Sequence, residues 1–351
     1  MTRAPATFSE FRDLLAGYRL PRIILTALEL KLFTVMGSST WTLSRLARSL
    51  KASERGVTIL CRNLAMAGLL VKRGARYRNG RLGSTLLNGD HPAYRGRYLD
   101  LLAGQWNDWA GLTESVRTGK PVGHDKPDQP DYRSRFTWAM HQRTMDLAPR
   151  LAGGISLRGA KSLLDLGGGP GTYALAFLAR NRGLRATVCD RPAALEVAKA
   201  IARGHKAGPR LSYLPLDLLV DPIPGSYDVV WYSNVVHIYS PEQNQAIFRR
   251  VRAALNPGGR FIIQDAFLHD RQGLRPEDAS LFAVSMLLFT ETGDTYRAAE
   301  VKNWLKAAGF ESVRLLGMKK GQEDWEGGVL EARLPRATAQ TRASRRRSTR
   351  G

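Results

Sequence analysis

From about residue 155 the chain alternates short, β-rich apolar runs with amphipathic stretches of helical spacing: "KSLLDL", "YALAFLARN", "RATVCD", "AALEVAKAIA", "LSYLPLD", "YDVVWYSNV", "EQNQAIFRRVRAAL" and "GRFIIQDAF". A strand that is apolar along its whole length has both faces buried. These runs therefore predict an α/β fold in which a parallel sheet is covered by helices on both sides. In such a sheet, ligands bind outside the carboxyl ends of the strands. Function is to be sought in the residues that close each apolar run.

Three of those closing residues are acids. Asp165 ends the first run, Asp190 the second and Asp217 the third. Acids are rarely buried without a partner, so three at successive strand ends point to a ligand that donates hydrogen bonds. The first strand leads into "LLDLGGGPGTYALA", where Gly167, Gly169 and Gly171 stand at alternate positions before a helix. Glycines there permit a tight turn and let a ligand lie against the N–H groups of the helix start. A dinucleotide fingerprint, G-x-G-x-x-G, would need a glycine where Thr172 stands. The spacing instead matches the D-x-G-x-G-x-G loop of class I methyltransferases, which bind S-adenosylmethionine. In that frame Asp190 accepts from both ribose hydroxyls, Asp217 accepts from the adenine amino group, and Leu218 packs on the ring. A glycine-rich loop alone is weak evidence, and so is one acid at a strand end. Their combination carries the assignment.

The N-terminal region, 1–105, is helical. Ile24, Leu28 and Leu32 share one helical face, and "TLSRLARSL" and "SERGVTILCRNLAMAGLLVKRGARYRNG" give two short helices and a strand-turn-strand. Ser53 caps the second helix and Gly68 ends it. This is the layout of a winged helix. Arg55 and Arg62 on the second helix, with Lys72, Arg73, Arg76 and Arg78 in the wing, would suit DNA; a dimerisation or lid domain would keep the fold without groove contacts. Residues 106–154 form a helical connector: "WNDWAGLTESVRTGKP" reads as a helix ending at Gly119, and "RSRFTWAMHQRTMDLAPRL" as a second, with Phe136 and Met140 on one face. Residues 155–332 form the nucleotide-like domain, and 333–351 a basic disordered tail.

That tail holds seven of the arginines behind a net charge of +22, with no acid and little apolar content. The rest of the excess is spread along the chain, so weak non-specific nucleic-acid binding stays open and a specific nucleic-acid function is not favoured. No N/D-P-P-Y sequence follows the fourth strand, where amino-methylating enzymes hold an extruded base. With 43% apolar and 24% charged residues the chain reads as globular, and no window supplies the roughly 18 apolar residues of a membrane span. "MTRAPATFSEFRDLL" lacks the apolar core of a secretion signal, which predicts a cytoplasmic protein. Cys61 and Cys189 stand far apart in apolar segments without metal spacing and are read as core.

Several segments together are similar to one family: "ALELKLF", "LARSLKASERGVTILCRNLAMAGLL", "LTESVRTGKP", "DLGGGPGTYA", "SNVVHIYSPEQ", "NPGGRFIIQDAF" and "TGDTYRAAEVKNWLKAAGF". The chain resembles the plant-type and acetylserotonin/hydroxyneurosporene-like O-methyltransferases over about residues 15 to 332. The resemblance implies a Rossmann-like class I methyltransferase domain behind a winged-helix-like dimerisation domain, a homodimer, S-adenosylmethionine as donor, no metal, and a small hydroxyl-bearing acceptor, aromatic or from secondary metabolism. It also places the general base at His237 and, beside it, Asp265. The chemistry suits an imidazole: a phenol with a pKa near 10 is a poor nucleophile at neutral pH, and a histidine takes its proton as attack proceeds.

Three positions depart from the family pattern. Ser233 stands where a lysine or arginine touching the cofactor is common, Ile238 replaces the aspartate after the histidine, and Thr295 replaces a second orienting glutamate unless Asp294 substitutes. Phe136, Met140, His141, Met286 and Phe289 are candidates for an acceptor pocket, although such stripes are more often plain core, and His141 is the more readily structural. His91, His124, His205 and His269 have polar or loop contexts and no nameable partner. Three alternatives stay open: a C-methyltransferase of the same fold in which His237 only steers the substrate, a winged-helix nucleic-acid-binding regulator, and a cofactor-binding relative without catalysis.

Overall fold

The computed structural model describes residues 4–122, 129–316 and 327–336; His124 and the tail beyond Arg336 lie outside the described residues. Two compact units divide at Trp106, residues 1–106 and 107–351.

The first unit opens with helices α1 (Phe8–Leu15), α2 (Arg19–Glu29) and α3 (Leu32–Met36). Strand β1 (Trp41–Thr42), helices α4 (Leu43–Ser49) and α5 (Glu54–Met66), and strands β2 (Leu70–Arg73) and β3 (Arg76–Asn79) then complete a winged helix whose small sheet runs β1-β3-β2. Ser53 accepts from the Gly56 N–H at 3.0 Å and starts α5; Gly68, at φ +74°, turns the chain out of it. In the wing, period-two alternation buries Tyr77 and Asn79 and exposes Lys72, Arg73, Arg76 and Arg78. Helices α6 (Arg81–Thr85) and α7 (Gly96–Gly104) close the unit around Leu32, Phe33, Leu46 and Leu64.

The boundary turn α8 (Trp106–Trp109) leads into the second unit, with α9 (Leu112–Thr118), α10 (Pro130–Thr144) and α11 (Leu147–Gly154). The connector thus has more breaks than its pattern implied. Gly111 separates α8 from α9 where a Cβ would stand 2.6 Å from Val122. The expected helix through Met145 is two helices, and at its break Thr144 Oγ1 bonds back to the Met140 carbonyl at 2.8 Å.

The sheet follows: β4 (Ser162–Leu166), α12 (Thr172–Arg180), β5 (Arg185–Asp190), α13 (Pro192–Arg203), β6 (Leu211–Pro215), β7 (Tyr227–Ser233), α14 (Pro241–Ala253) and β8 (Leu255–Gln264). Then come α15 (Glu277–Phe289), α16 (Ala298–Ala307), β9 (Glu311–Leu315) and β10 (Val329–Arg333). Seven strands lie in the order β6-β5-β4-β7-β8-β10-β9. The first five are parallel, and β10 runs antiparallel to both β8 and β9.

The central strands are buried on both faces, as continuous apolar strands require, while the edge strand β9 is largely exposed. Along β7, Val229 and Trp231 enter the core beneath α11 and α12, while Val230 and Tyr232 enter the core beneath α14 and α16. Trp231 is fully buried, with the Phe177 ring 5.1 Å away edge-on and Tyr173 tilted at 5.4 Å. The chain winds outward through β5 and β6, then crosses back to β7 on the other side of β4. That reversal opens a crevice at the carboxyl ends of β4 and β7.

Candidate active site

Between β4 and α12, Gly167, Gly169 and Gly171 have φ of +67°, +49° and +67°, a region that side-chain-bearing residues seldom occupy. The turn is held by Gly168 N–H donating to the Cys189 carbonyl at 3.1 Å and by Gly171 N–H donating to Gly168 at 2.9 Å. A Cβ on Gly167 would stand 2.9 Å from Val235 and 3.3 Å from Leu218, so both side chains press on the turn. Gly168, which spacing did not single out, is equally confined: a Cβ there would meet the Asp165 carboxyl carbon at 2.6 Å.

The three acids behave differently. Asp165 is fully buried beneath the turn and accepts from the Ala174 N–H of α12 at 3.2 Å. Burial pushes its carboxyl up to about 7; the Ala174 N–H pulls the other way, and repulsion from Asp190 adds to the rise. Asp190 accepts from Gly169 N–H at 2.8 Å and from its neighbour Arg191 N–H at 2.7 Å. Burial raises it as well, opposed by those two bonds and by the charge of Arg133. Asp217 lies two residues beyond β6 rather than at its end. The ladder survives only through Leu216 N–H donating to the Asp190 carbonyl at 3.2 Å, after which a turn begins: Asp217 N–H donates to Asp221 at 2.7 Å, and the Asp217 carboxylate accepts from Leu219 N–H at 2.8 Å. Asp217 and Asp221 line a cleft of about 590 Å³ together with Arg133, Arg191, Pro192 and Leu216.

Past β7, Asn234 takes φ +57° and donates to Ser233 Oγ at 3.1 Å and to Gln264 Oε1 at 2.9 Å. Ser233 Oγ itself donates to Gln264 Oε1. The hydroxyl of Ser233 is therefore engaged by the ends of its own and the neighbouring strand. A short turn, Val236–Ile238, then carries His237, which is 7% exposed. Its Nδ1 stands 2.6 Å from Asp265 Oδ1. Asp265 immediately follows β8 and accepts three backbone N–H groups as well: Val235 at 3.1 Å, Val236 at 2.9 Å and Ala266 at 2.8 Å. Those three donors fix the carboxyl group in place, so Nδ1 faces an acceptor and carries the ring proton, which leaves the lone pair on Nε2.

The remaining departures resolve geometrically. Asp294 donates its N–H to the His237 carbonyl at 3.0 Å and accepts from Thr295 N–H at 2.7 Å, so it supports the backbone and not the ring. Thr295 is buried, and its hydroxyl has no hydrogen-bond partner among the described residues. Ile238 is 38% exposed.

Phe282 stands edge-on to the His237 ring, 4.8 Å between centroids. It is on α15, and Met286 and Phe289 follow at i+4 and i+7 on the same face. Phe136 and Met140 are partly buried on α10, and His141 Nδ1 meets Thr172 Oγ1 at 2.9 Å. Sequence reading missed Phe282, Gln264, Asn234 and the His141–Thr172 pair. Asn234 had a signal, since asparagine is enriched at positive φ; Phe282 had none beyond its spacing.

Residues 115–311 match the O-methyltransferase domain, and residues 12–89 the O-methyltransferase dimerisation domain. The chain belongs to the O-methyltransferase family. It is 29% identical over 313 residues to 3-hydroxy-5-methyl-1-naphthoate 3-O-methyltransferase of Streptomyces sahachiroi, covering 86% of this chain and 89% of that one. Acetylserotonin O-methyltransferase of Mus musculus is 29% identical, with 89% of this chain and 86% of that protein aligned. The fold is also that of human N-acetylserotonin methyltransferase, solved in complex with S-adenosylmethionine: TM-score 0.81 at 21% identity, over 95% and 99% of the two chains.

The methyl donor of this O-methyltransferase is S-adenosylmethionine, and the site fits it. The glycine turn leaves no room for side chains, Asp190 ends β5 beside that turn, and Leu218 flanks Gly167. Among the described residues no group of three or more His, Cys, Asp or Glu is placed to hold a metal ion, and no helix is long and apolar enough to cross a membrane.

Proposed function

We propose that this O-methyltransferase methylates a hydroxyl of a small aromatic acceptor of secondary-metabolite type, with His237 as general base and Asp265 as the group that orients it. The observation that carries the reading is the 2.6 Å contact from His237 Nδ1 to Asp265 Oδ1, because it aims a basic Nε2 away from the protein's own acid. S-adenosylmethionine, when bound, supplies an electrophilic methyl group on a sulfonium. The glycine turn, Asp190, Asp217 and Leu218 hold the donor. His237 would accept the hydroxyl proton at Nε2 as the acceptor oxygen takes the methyl group and the methyl–sulfur bond breaks, leaving S-adenosylhomocysteine, and Asp265 would stabilise the resulting imidazolium. Phe282, Met286 and Phe289 give α15 an apolar face beside the imidazole, which suits a flat aromatic acceptor and excludes water. The match of 12–89 to a dimerisation domain supports a homodimer, working in the cytoplasm.

The test is His237→Gln with labelled donor and a panel of hydroxylated aromatics, alongside calorimetry with S-adenosylhomocysteine. Turnover should fall by about 10²- to 10⁴-fold while product affinity stays within about twofold. Undiminished turnover removes the base assignment, and absence of any heat with the unaltered enzyme removes the cofactor site.

A further inference from the structure

Helix α10 buries an unusual face. Arg133, Thr137, His141 and Thr144 recur at i, i+4, i+8 and i+11, which places them in one stripe, and Thr137 and Thr144 are 2% and 5% exposed. A helix normally packs apolar residues on its inner side. The threonines answer for themselves: Thr137 Oγ1 donates to the Arg133 carbonyl at 2.7 Å, and Thr144 Oγ1 to the Met140 carbonyl at 2.8 Å. Arg133 and His141 reach outward from the helix. Arg133 lines the cleft beside Asp217, and His141 Nδ1 meets Thr172 Oγ1 at 2.9 Å. Thr172 is the first residue of α12, directly after Gly171, and α10 packs on both α12 and α13. Phe136 and Met140 flank the same stripe. One rigid helix therefore touches the glycine turn with one residue and carries two of the acceptor-pocket candidates beside it.

We propose that His141 is a positioning residue which, through Thr172, clasps α10 to the glycine turn, so that donor binding at the turn orders the helix carrying the acceptor wall. This deepens the methyltransferase reading and rests on it. The hydroxyl of Thr172 has two relations at once: its backbone belongs to the helix start beneath the donor, and its side chain belongs to α10. A ligand that stills the turn restrains Thr172, and the hydrogen bond passes that restraint to His141. At the other end of the same stripe Arg133 lines the cleft with Asp217, and its charge favours the ionised form of Asp190.

The test uses the full chain with S-adenosylhomocysteine as the probe. Calorimetry and hydrogen exchange are compared for wild type, Thr172→Val and His141→Phe, which delete the contact, and for Thr172→Ser and His141→Asn, which keep a polar atom in place. In wild type and the conservative pair the ligand should slow exchange at both 167–174 and 130–144. In the deleting pair, protection should remain at 167–174 and be lost from α10, with affinity reduced about fivefold, as one hydrogen bond warrants. The double variant should cost no more than either single one. Equal protection of α10 in Thr172→Val, or additive losses in the double variant, would overturn the clasp. A wild type that does not bind the probe would overturn the donor site itself, and the clasp with it.

Discussion

Replacing Asp165 by asparagine should make the ligand-free protein more resistant to unfolding at pH 8 than at pH 5, relative to wild type at each pH. The carboxyl rises from 3.8 to about 7 on folding because it is entirely buried, with one N–H from Ala174 in partial return. At roughly 1.4 kcal/mol per unit, the shift corresponds to about 4 kcal/mol of stability forgone when the group is ionised in both states. The sign follows from proton counting. Below the unfolded value both states are protonated and nothing is lost. Between the two values only the folded state holds the proton, so stability declines as pH rises, and above the folded value the loss is complete. Between pH 5 and pH 8 the wild-type penalty grows by about 2 to 3 kcal/mol, and the variant lacks it. Asparagine keeps an oxygen for the Ala174 N–H but adds an amide beneath Gly168, and an unsatisfied amide costs about 1 to 3 kcal/mol at every pH. The decisive quantity is therefore the change in the difference. Thermal melts of both proteins across that range should show the variant gaining on wild type by roughly 4 to 12 °C, given about 2 to 4 °C per kcal/mol for a unit of this size. A constant offset, or a gap that widens toward acid, would refute the assignment of a proton to Asp165.

Four further outcomes follow from the geometry. Asp265→Asn should lower turnover by about 10²-fold or more with product affinity unchanged, because an amide that keeps its oxygen toward Val235 and Val236 presents N–H₂ to His237 and puts the proton on Nε2; kinetics beside calorimetry check it. Gly293→Ala should reduce turnover more than product affinity, since its Cβ would stand 2.3 Å from the His237 carbonyl. Trp231→Ala should cost about 3 to 5 kcal/mol in denaturant unfolding. Glu331, 1% exposed and paired with Arg260, Arg314 and Arg333, is held below the ordinary glutamate range by those cations against the cost of burial. Its contribution is present above the unfolded value near 4.5 and disappears as pH falls through the lower folded value; Glu331→Gln should flatten that part of the acid-unfolding profile.

The sheet was legible because burial on both faces leaves little choice of pattern: each of β4, β5 and β7 reads as an apolar run with a candidate site residue at or near the end. The antiparallel pair β9 and β10 was not, since Glu331 interrupts β10 with a charge whose partners Arg260 and Arg314 come from the neighbouring strands β8 and β9 and only Arg333 from β10 itself. The tight turn at Gly167, Gly169 and Gly171 was readable from spacing, because their positive φ admits few other residues, whereas Asp217 falls two residues beyond the strand it was expected to end. His237 and Asp265, 28 residues apart, were joined through the resemblance, and parallel pairing of β7 with β8 is what brings their strand ends together. Phe282 and the Thr172–His141 contact escaped because they depend on where whole helices dock, which local periodicity does not encode.

The balance of charge in the site explains why so basic a chain keeps its acids here. Asp265 receives three backbone N–H groups and an imidazole, so it is fixed in place and holds the His237 ring by Nδ1. Asp165 receives one N–H and stays poorly compensated. A cationic donor bound at the turn above Asp165 would favour its ionised form, and the demethylated product, short of the sulfonium charge, would favour it less. Product should then bind more weakly than donor by a margin that grows from pH 6 to pH 8 in wild type and is flat in Asp165→Asn. Parallel titrations with both ligands decide it, and a wild-type ratio independent of pH would show that Asp165 takes no part in discriminating them.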